Sequence, residues 1–349
     1  MISIGGYTSR FHESSKSIFM RVLVTGCGCF LGSEIVRQLI DRGDDVTGVS
    51  RGEYPRLVAL GMQQVKGDLT DPAVAKRAIK DVEVVVHTAA VAGVWGPWDH
   101  FYSINKLATD HVIAACREAS VQTLVFTSSP SVTFSGEHQS GVDEREPYAK
   151  KWLCHYPRTK ALAEQAVLKA NDNGGLRACA LRPHLIWGED DPHILPRILE
   201  RARTGKLRIV GDGKNRVDTV HVVNAAAAHL DAIDALQANP NDAAGRAYFI
   251  TQDEPVDCWN WISRICELGG VDPPKKKISF RSAYRVGSML ELAYRAIGKQ
   301  TEPPMTRFVA AQLARDHYFD ISRAKQRLNY RVRIGMSEAL ERLEKAWQR

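Results

Sequence analysis

No run of apolar residues in the chain approaches the ~18 that a bilayer-spanning helix requires, so no transmembrane segment is expected. No two of the seven cysteines form a CxxC pair, and an odd number cannot make a complete disulfide framework. A reducing, cytoplasmic compartment is expected. Cys27 and Cys29 stand two apart, but no His or Cys pair is placed to complete four ligands, so no metal is expected either. Low-complexity tracts and internal repeats are lacking, which excludes disordered, fibrous and solenoid classes. Basic residues are nowhere interleaved with aromatics in a repeating pattern, so nucleic acid is not an expected partner. Residues 1–19 are polar and Ser-rich, with neither the basic start nor the apolar stretch of a secretory signal; a flexible extension is expected there.

What is present is an ordinary globular composition: 349 residues, 44% hydrophobic and 25% charged. The net charge of +7 is unevenly placed. Residues 271–349 carry 17 Lys and Arg against 8 Asp and Glu. Such a basic quarter faces an acidic substrate, a phosphorylated carrier, an anionic membrane surface or an acidic partner, or simply carries solvated helix faces.

From Arg21 the pattern alternates between short β-branched runs and helical periodicity. Strands are expected at Arg21–Thr25, Asp45–Ser50, Gln63–Lys66, Val82–His87, Thr123–Thr127 and Arg177–Arg182. Helices are expected at Leu31–Arg42, Ala73–Ile79, Ala108–Ala119 and Tyr156–Ala170. This alternation predicts an α/β fold, a Rossmann-type doubly wound parallel sheet. Beyond Pro183 prolines break the rhythm. Residues 20–183 read as an NADP-binding Rossmann domain and 184–349 as a smaller, mostly helical substrate domain. Segments near Val217–Val222 and Ala247–Thr251 are candidates to return to the first domain as strands.

Between the first strand and helix lies Thr25-Gly26-Cys27-Gly28-Cys29-Phe30-Leu31-Gly32. Glycines in such a place let backbone approach a pyrophosphate at a helix N-terminus. The second strand ends Val49-Ser50-Arg51-Gly52, with no carboxylate at its tip to hold a ribose hydroxyl. A guanidinium there suits a 2′-phosphate, so NADP(H) is expected over NAD(H); Glu53, two residues on, is the competing signal.

Tyr156 and Lys160 form a YxxxK at a helix start, where positions i and i+4 share a face. An ammonium beside a phenol favours the phenolate and prepares Tyr156 for proton transfer. Thr127-Ser128-Ser129 ends the fifth strand, where open α/β sheets place their sites.

At these residues the chain resembles the extended short-chain dehydrogenases/reductases. The resemblance rests on the glycine loop, Asp68-Leu69, His87-Thr-Ala89-Ala90, Asn105, Ser128-Ser129-Pro-Ser-Val132, Tyr156-xxx-Lys160 and Leu181-Arg182-Pro183, and covers roughly residues 20–345. It implies that Ser129 is the catalytic serine, Tyr156 the acid/base and Lys160 the residue that orients the nicotinamide ribose. Asp68 would meet the adenine amino group, with Leu69 beside it. Ala89 and Ala90 would line the cofactor, Pro183 would abut the nicotinamide, and Asn105 would support Lys160. Cys29 replaces the family's middle glycine, so its side chain is expected to crowd the pyrophosphate or strain the loop. Phe134 replaces a family tyrosine, and Lys106 and Ala108 stand where Val and Gly are usual.

Pro130-Ser131 follows the serine where nucleotide-sugar dehydratases carry an acidic pair. The segments SSPSVxFxG, Val142-Asp-Glu144 and Leu181 to Gly188 are similar instead to the 3β-hydroxysteroid dehydrogenase branch, nearest the 2-alkyl-3-oxoalkanoate reductases of olefin biosynthesis. Trp95, Trp98, Tyr102, His184 and Trp187 suggest an aromatic rim for an apolar substrate. Ser282–Gly298 reads as a broad-faced apolar helix, fit for a lid, a docking face or core. The expected reaction is NADPH-dependent reduction of an apolar β-keto acid, 2-alkyl-3-oxoalkanoate to the 3-hydroxy acid. A 3β-hydroxysteroid or sterol-4-carboxylate dehydrogenase is the alternative enzyme, and a non-catalytic NADP-sensing protein the alternative of another class. Partner enzymes of the same pathway and a homo-oligomer are both compatible with the sequence.

Overall fold

The computed structural model describes residues 19–172 and 175–348; the extension expected at residues 1–19 lies almost wholly outside them. Seven strands form one parallel sheet: β1 Arg21–Thr25, β2 Asp45–Ser50, β3 Gln63–Lys66, β4 Val84–His87, β5 Thr123–Thr127, β6 Arg177–Pro183 and β7 Ala247–Ile250. Their spatial order is β7-β6-β5-β4-β1-β2-β3. All six pairings are parallel. The order reverses between β1 and β4, which pair directly, Thr25 beside His87. Ligands of doubly wound sheets settle in the crevice at such a reversal, outside the carboxyl ends of the strands.

The strands belong in the middle of the molecule because both of their faces are apolar. Leu23, Val85, Leu124 and Ala178 enter one core cluster, while Val22, Val84, Val125 and Cys179 enter the other. Helices cover both faces. Helix Phe30–Arg42 buries Leu31, Ile35, Val36 and Leu39 and stops at Gly43, whose φ of 97° is the left-handed conformation of a helix terminus. It packs on helix Val222–Ala238, an Ala-rich segment far along the chain.

Of the two late segments considered for return, only Ala247–Ile250 enters the main sheet, against β6. Arg216–Val217 and Val220–His221 form short pairings elsewhere, because Val217 packs in a separate core built around Trp187, Trp259 and Trp261. That core also gathers helices Ile194–Arg203, Cys258–Leu268 and Met336–Trp347. Helix Phe280–Ala296 begins two residues before its expected start, because the Ser279 hydroxyl accepts from the Ser282 N–H at 3.1 Å and caps it. Among the described residues no helix is long and apolar enough to cross a membrane.

Candidate active site

The glycine loop turns from β1 into helix Phe30–Arg42 at the reversal point. Gly26 has a φ of +67°, and a Cβ there would lie 2.9 Å from the Ala89 backbone. Its N–H donates to Val49 O at 2.9 Å, tying the turn to β2. A Cβ on Gly32 would meet Gly26 O at 2.2 Å, so this glycine lets the helix approach its own turn. Gly28 is closed by Tyr54, whose ring occupies the place of a Cβ.

Cys29 neither strains the loop nor stands idle in it. Its φ is −80°, ordinary extended backbone, and it is the residue that caps the helix. Its Sγ accepts from Gly32 N at 3.3 Å and lies 3.7 Å from Thr88 Oγ1. The expected backbone strain is therefore absent, because the helix begins at Phe30 and leaves Cys29 in a cap conformation that any residue adopts.

Around the loop, β4 is stitched to β1. Thr88 Oγ1 donates to Thr25 O at 2.6 Å, and Ala89 N donates to Thr25 Oγ1 at 3.1 Å. Ala90 follows at the surface. Asp68 accepts from both the N–H and the hydroxyl of Thr70 at 2.9 Å, and these bonds, with the Arg51 charge, hold its carboxyl below the usual range. Leu69 beside it is buried. At the tip of β2, Ser50 Oγ donates to Gly52 O. Arg51 is exposed, and Glu53 is bound to Lys66 at 2.8 Å.

The catalytic candidates meet at the end of β5. Ser129 is half-buried; its Oγ lies 2.8 Å from Ser131 Oγ and accepts from Ser131 N at 3.2 Å. Tyr156 is half-buried at the start of helix His155–Ala170. Burial pushes its phenol up, and a hydrogen bond with Ser129 pulls it down. Lys160 is 2% exposed; its Nζ donates to Thr127 O at 2.6 Å and lies 4.0 Å from the centre of the Phe126 ring. Burial lowers its pKa to about 7, opposed by the Glu164 carboxylate. Such a triad can deliver a proton to a carbonyl oxygen and hydrogen-bond that oxygen at the same time.

The chain matches the 3-beta hydroxysteroid dehydrogenase/isomerase family over residues 23–281. It belongs to that family. It is 46% identical over 328 residues to the 2-alkyl-3-oxoalkanoate reductase of Shewanella oneidensis, covering 92% of this chain and 84% of the relative. The reductase of the same name from Stenotrophomonas maltophilia is 43% identical, with 93% and 98% covered. The mouse sterol-4-alpha-carboxylate 3-dehydrogenase, decarboxylating, is 36% identical, with 91% and 88% covered. The structure of MoeE5 in complex with UDP-glucose and NAD superposes with a TM-score of 0.71 at 25% identity, covering 94% of this chain and 98% of that one. As a member of this family the protein is a nicotinamide-dependent oxidoreductase of the extended short-chain type.

For this dehydrogenase/isomerase family member the aromatic rim is smaller than the sequence suggested. Trp187 is fully buried, edge-on to His221 and Trp261, with its indole N–H on Thr219 Oγ1 at 3.1 Å. It is core because the chain after Pro183 turns inward to join the separate apolar cluster. His184 is also buried, its Nε2 2.6 Å from His317 Nδ1. Since His317 Nε2–H donates to Gln312 O, His184 must supply the proton of that pair, and both rings are neutral donors locked in place. Trp95 does line a cavity of 290 Å³, with Phe101, Leu153, His155 and Tyr294. Trp98 stacks on Tyr102 at 5.4 Å and touches His155 edge-on, with the Arg158 guanidinium 4.5 Å above it.

Asn105 and further residues outside the motifs brace the triad. Asn105 is buried in a π-helical turn, Ser103–Leu107, of a kind that often marks functional sites. Its amide bonds Val91 N and O and Thr159 Oγ1, joining the loop after Ala90 to the residue before Lys160. Glu164 is fully buried and accepts from Arg182 at 2.5 and 3.1 Å and from Tyr148 at 2.7 Å. A Glu one turn beyond a YxxxK lysine, matched by an Arg at a buried strand end, was the legible signal. Thr127 Oγ1 reaches His229 Nε2 at 2.8 Å, a contact with a helix a hundred residues away that only folding brings there.

Proposed function

We propose that the protein uses NADPH to reduce the C3 ketone of a 2-alkyl-3-oxoalkanoate to the 3-hydroxy acid, a step of olefin biosynthesis. The observation that carries the chemistry is the Ser129–Tyr156–Lys160 arrangement at the end of β5. The substrate class rests on the two bacterial relatives of that name, which cover most of the chain.

The loop fits a dinucleotide: Gly26 and Gly32 let the turn close tightly against Ala89 and against its own backbone, where a Cβ would clash, and the first turn of helix Phe30–Arg42 offers backbone N–H groups for a pyrophosphate. Gly26, Gly28, Cys29, Phe30, Leu31 and Gly32 would hold the phosphates, Asp68 and Leu69 the adenine, and Ala89, Ala90 and Pro183 the nicotinamide side. Arg51 supports NADP(H), since it is exposed beside Ser50 while Lys66 engages Glu53, the competing carboxylate. When bound, the reduced nicotinamide supplies a hydride. Tyr156 donates its phenolic proton to the substrate oxygen. Ser129 donates a hydrogen bond to the same oxygen, its own lone pairs already facing Ser131. Lys160 stabilises the phenolate left on Tyr156 and orients the nicotinamide ribose. Trp95 would face the apolar substrate, and Trp98 and Tyr102, stacked on each other with Trp98 against His155 of the same cavity wall, would extend that side.

Seven free cysteines suit a cytoplasmic enzyme. Association with other enzymes of the pathway and a homo-oligomeric state belong to the same reading. A second reading, a sterol-4-carboxylate 3-dehydrogenase, is favoured by the mouse relative. The test is a panel of 2-alkyl-3-oxo acids, 3-oxosteroids, sterol carboxylates and nucleotide sugars, followed by NADPH absorbance. Turnover of the oxo acids is expected. Steroid turnover without oxo-acid turnover would establish the second reading instead, and cofactor binding with no turnover would mean a sensing protein.

A further inference from the structure

We propose that the exposed face of helix Phe280–Ala296, together with the cationic cavity beside it, is a docking surface for an anionic phospholipid bilayer. Met289 is 63% exposed and Leu292 70%, and Ile297, just past the helix, is 72% exposed. Val286, Ala293 and Ala296 extend the same exposed apolar face. No exposed residue of the helix is acidic, whereas Arg281, Arg285 and Arg295 are all exposed. The helix has one carboxylate, Glu291; it is buried and engaged by Arg307, which donates to it through both Nε and its backbone N–H. Lys275, Lys276 and Lys277 are exposed just before the helix, and Lys299 just after it.

A second observation points the same way. A cavity of 530 Å³ opens beside the helix and is lined by Lys150, Lys151, Arg158, Arg295 and Arg307, with no carboxylate in its wall. Lys150 and Lys151 make no ion pair with any described residue. Arg295 and Arg307 share Glu291, which leaves Lys150, Lys151 and Arg158 without a carboxylate among the described residues; cations so placed around a hollow suit a phosphate group. Arg295 belongs both to the apolar helix and to this cavity, so the two features form one surface. Trp95 stands at their junction: Arg295 lies 5.5 Å from its ring, and its indole N–H donates to Lys299 O at 3.0 Å. A Trp with one wet edge suits a headgroup layer.

The occupant follows from the charge. A helix that exposes Leu, Met and Ile among cations, without acids, is complementary to an anionic surface with an apolar interior. At 17 residues it is about 25 Å long, and it lies on the bilayer rather than through it. Its inner face supplies Tyr294 and Glu291 to the wall of the Trp95 cavity. A lipid-borne substrate thus has a short way to the site, although the docking itself does not depend on which substrate is reduced.

The test is flotation of the full chain with vesicles of phosphatidylcholine alone or with about 30 mol% phosphatidylglycerol. Binding to the anionic vesicles only is expected, with release at about 0.5 M salt. The triple variant Met289→Ser, Leu292→Ser, Ile297→Ser should lose about tenfold or more of that binding while keeping NADPH affinity and turnover of a short, water-soluble oxo acid. Lys150→Ala with Lys151→Ala should weaken the salt-sensitive part. No binding to anionic vesicles, equal binding to neutral ones, or undiminished binding by the triple variant would each overturn the proposal.

Discussion

Lys160 donates a hydrogen bond from its ammonium to the carbonyl oxygen of Thr127 at 2.6 Å, two residues before Ser129. The lysine is thereby pinned to the strand end that carries Ser129. Glu164, one turn further along the same helix, supplies the opposing charge that keeps a buried ammonium tenable.

The pH dependence of reduction follows from this pair. Burial lowers the Lys160 pKa to about 7, so the ammonium is present below that pH and lost above it. If its charge supports Tyr156, kcat/KM in the reduction direction falls as pH rises through about 7, since kcat/KM reports groups of the free enzyme. A profile that stays flat to strongly alkaline pH would remove Lys160 from that role.

Replacing the proton donor separates chemistry from binding. Tyr156→Phe should lower kcat by about 10²–10⁴-fold, the worth of a positioned general acid. NADPH affinity, measured by titration, should change little. Near-normal kcat in this variant would mean that another group protonates the oxygen.

Arg51 is expected to read the cofactor phosphate. Arg51→Ala should weaken NADPH by about tenfold to a hundredfold, the loss of a charge-assisted partner, and leave NADH nearly unaffected. Equal losses for both cofactors would show that Arg51 does not discriminate.

The Glu164–Arg182 pair carries stability as well as position. Both side chains are buried, 0% and 4% exposed, and Arg182 also faces the Phe249 ring at 5.2 Å. Glu164→Gln removes the carboxylate that Arg182 hydrogen-bonds, leaving it only the Glu144 charge, and should cost up to about 3–5 kcal/mol in denaturant unfolding. A loss below about 1 kcal/mol would show that the pair is dispensable.

Acid should destabilise the fold early. Burial lowers His87 to about 3 and both His229 and His317 to about 4, so the folded state keeps them neutral while the unfolded chain protonates near 6.5. Their stabilisation is complete above about 6.5 and declines as pH falls toward 4, by up to roughly tenfold in the folding equilibrium per pH unit for each group. Asp218, pushed by burial up to about 7, works in the opposite direction and offsets one of them. Urea midpoints at pH 7 and pH 5 check this. Equal stability at the two would contradict it, and His317→Gln should reduce the difference.

The parallel sheet, the glycine loop, the YxxxK helix and the Ser128–Ser129 strand end were legible in the sequence because each is a local pattern. β-branched runs mark strands, helical spacing marks helices, and a glycine turn between them marks the loop. Charge bias toward the C-terminal quarter was legible too, as composition. Burial is different, since it depends on what the chain beyond Pro183 folds against. Trp187 and His184 look like rim residues in sequence but are core in the structure, because the separate cluster of Trp259 and Trp261 and the side chain of His317 close over them. The same holds for Cys29: the family pattern marks it as a misfit, and the position of the helix start makes it a cap. Strand Ala247–Ile250 joining the sheet beside β6, Asn105 clasping Val91 and Thr159, and the cations of residues 150, 158, 295 and 307 meeting around one cavity all require residues far apart in sequence to come together. Periodicity encodes which face of an element is apolar, whereas only the packed chain decides what that face meets.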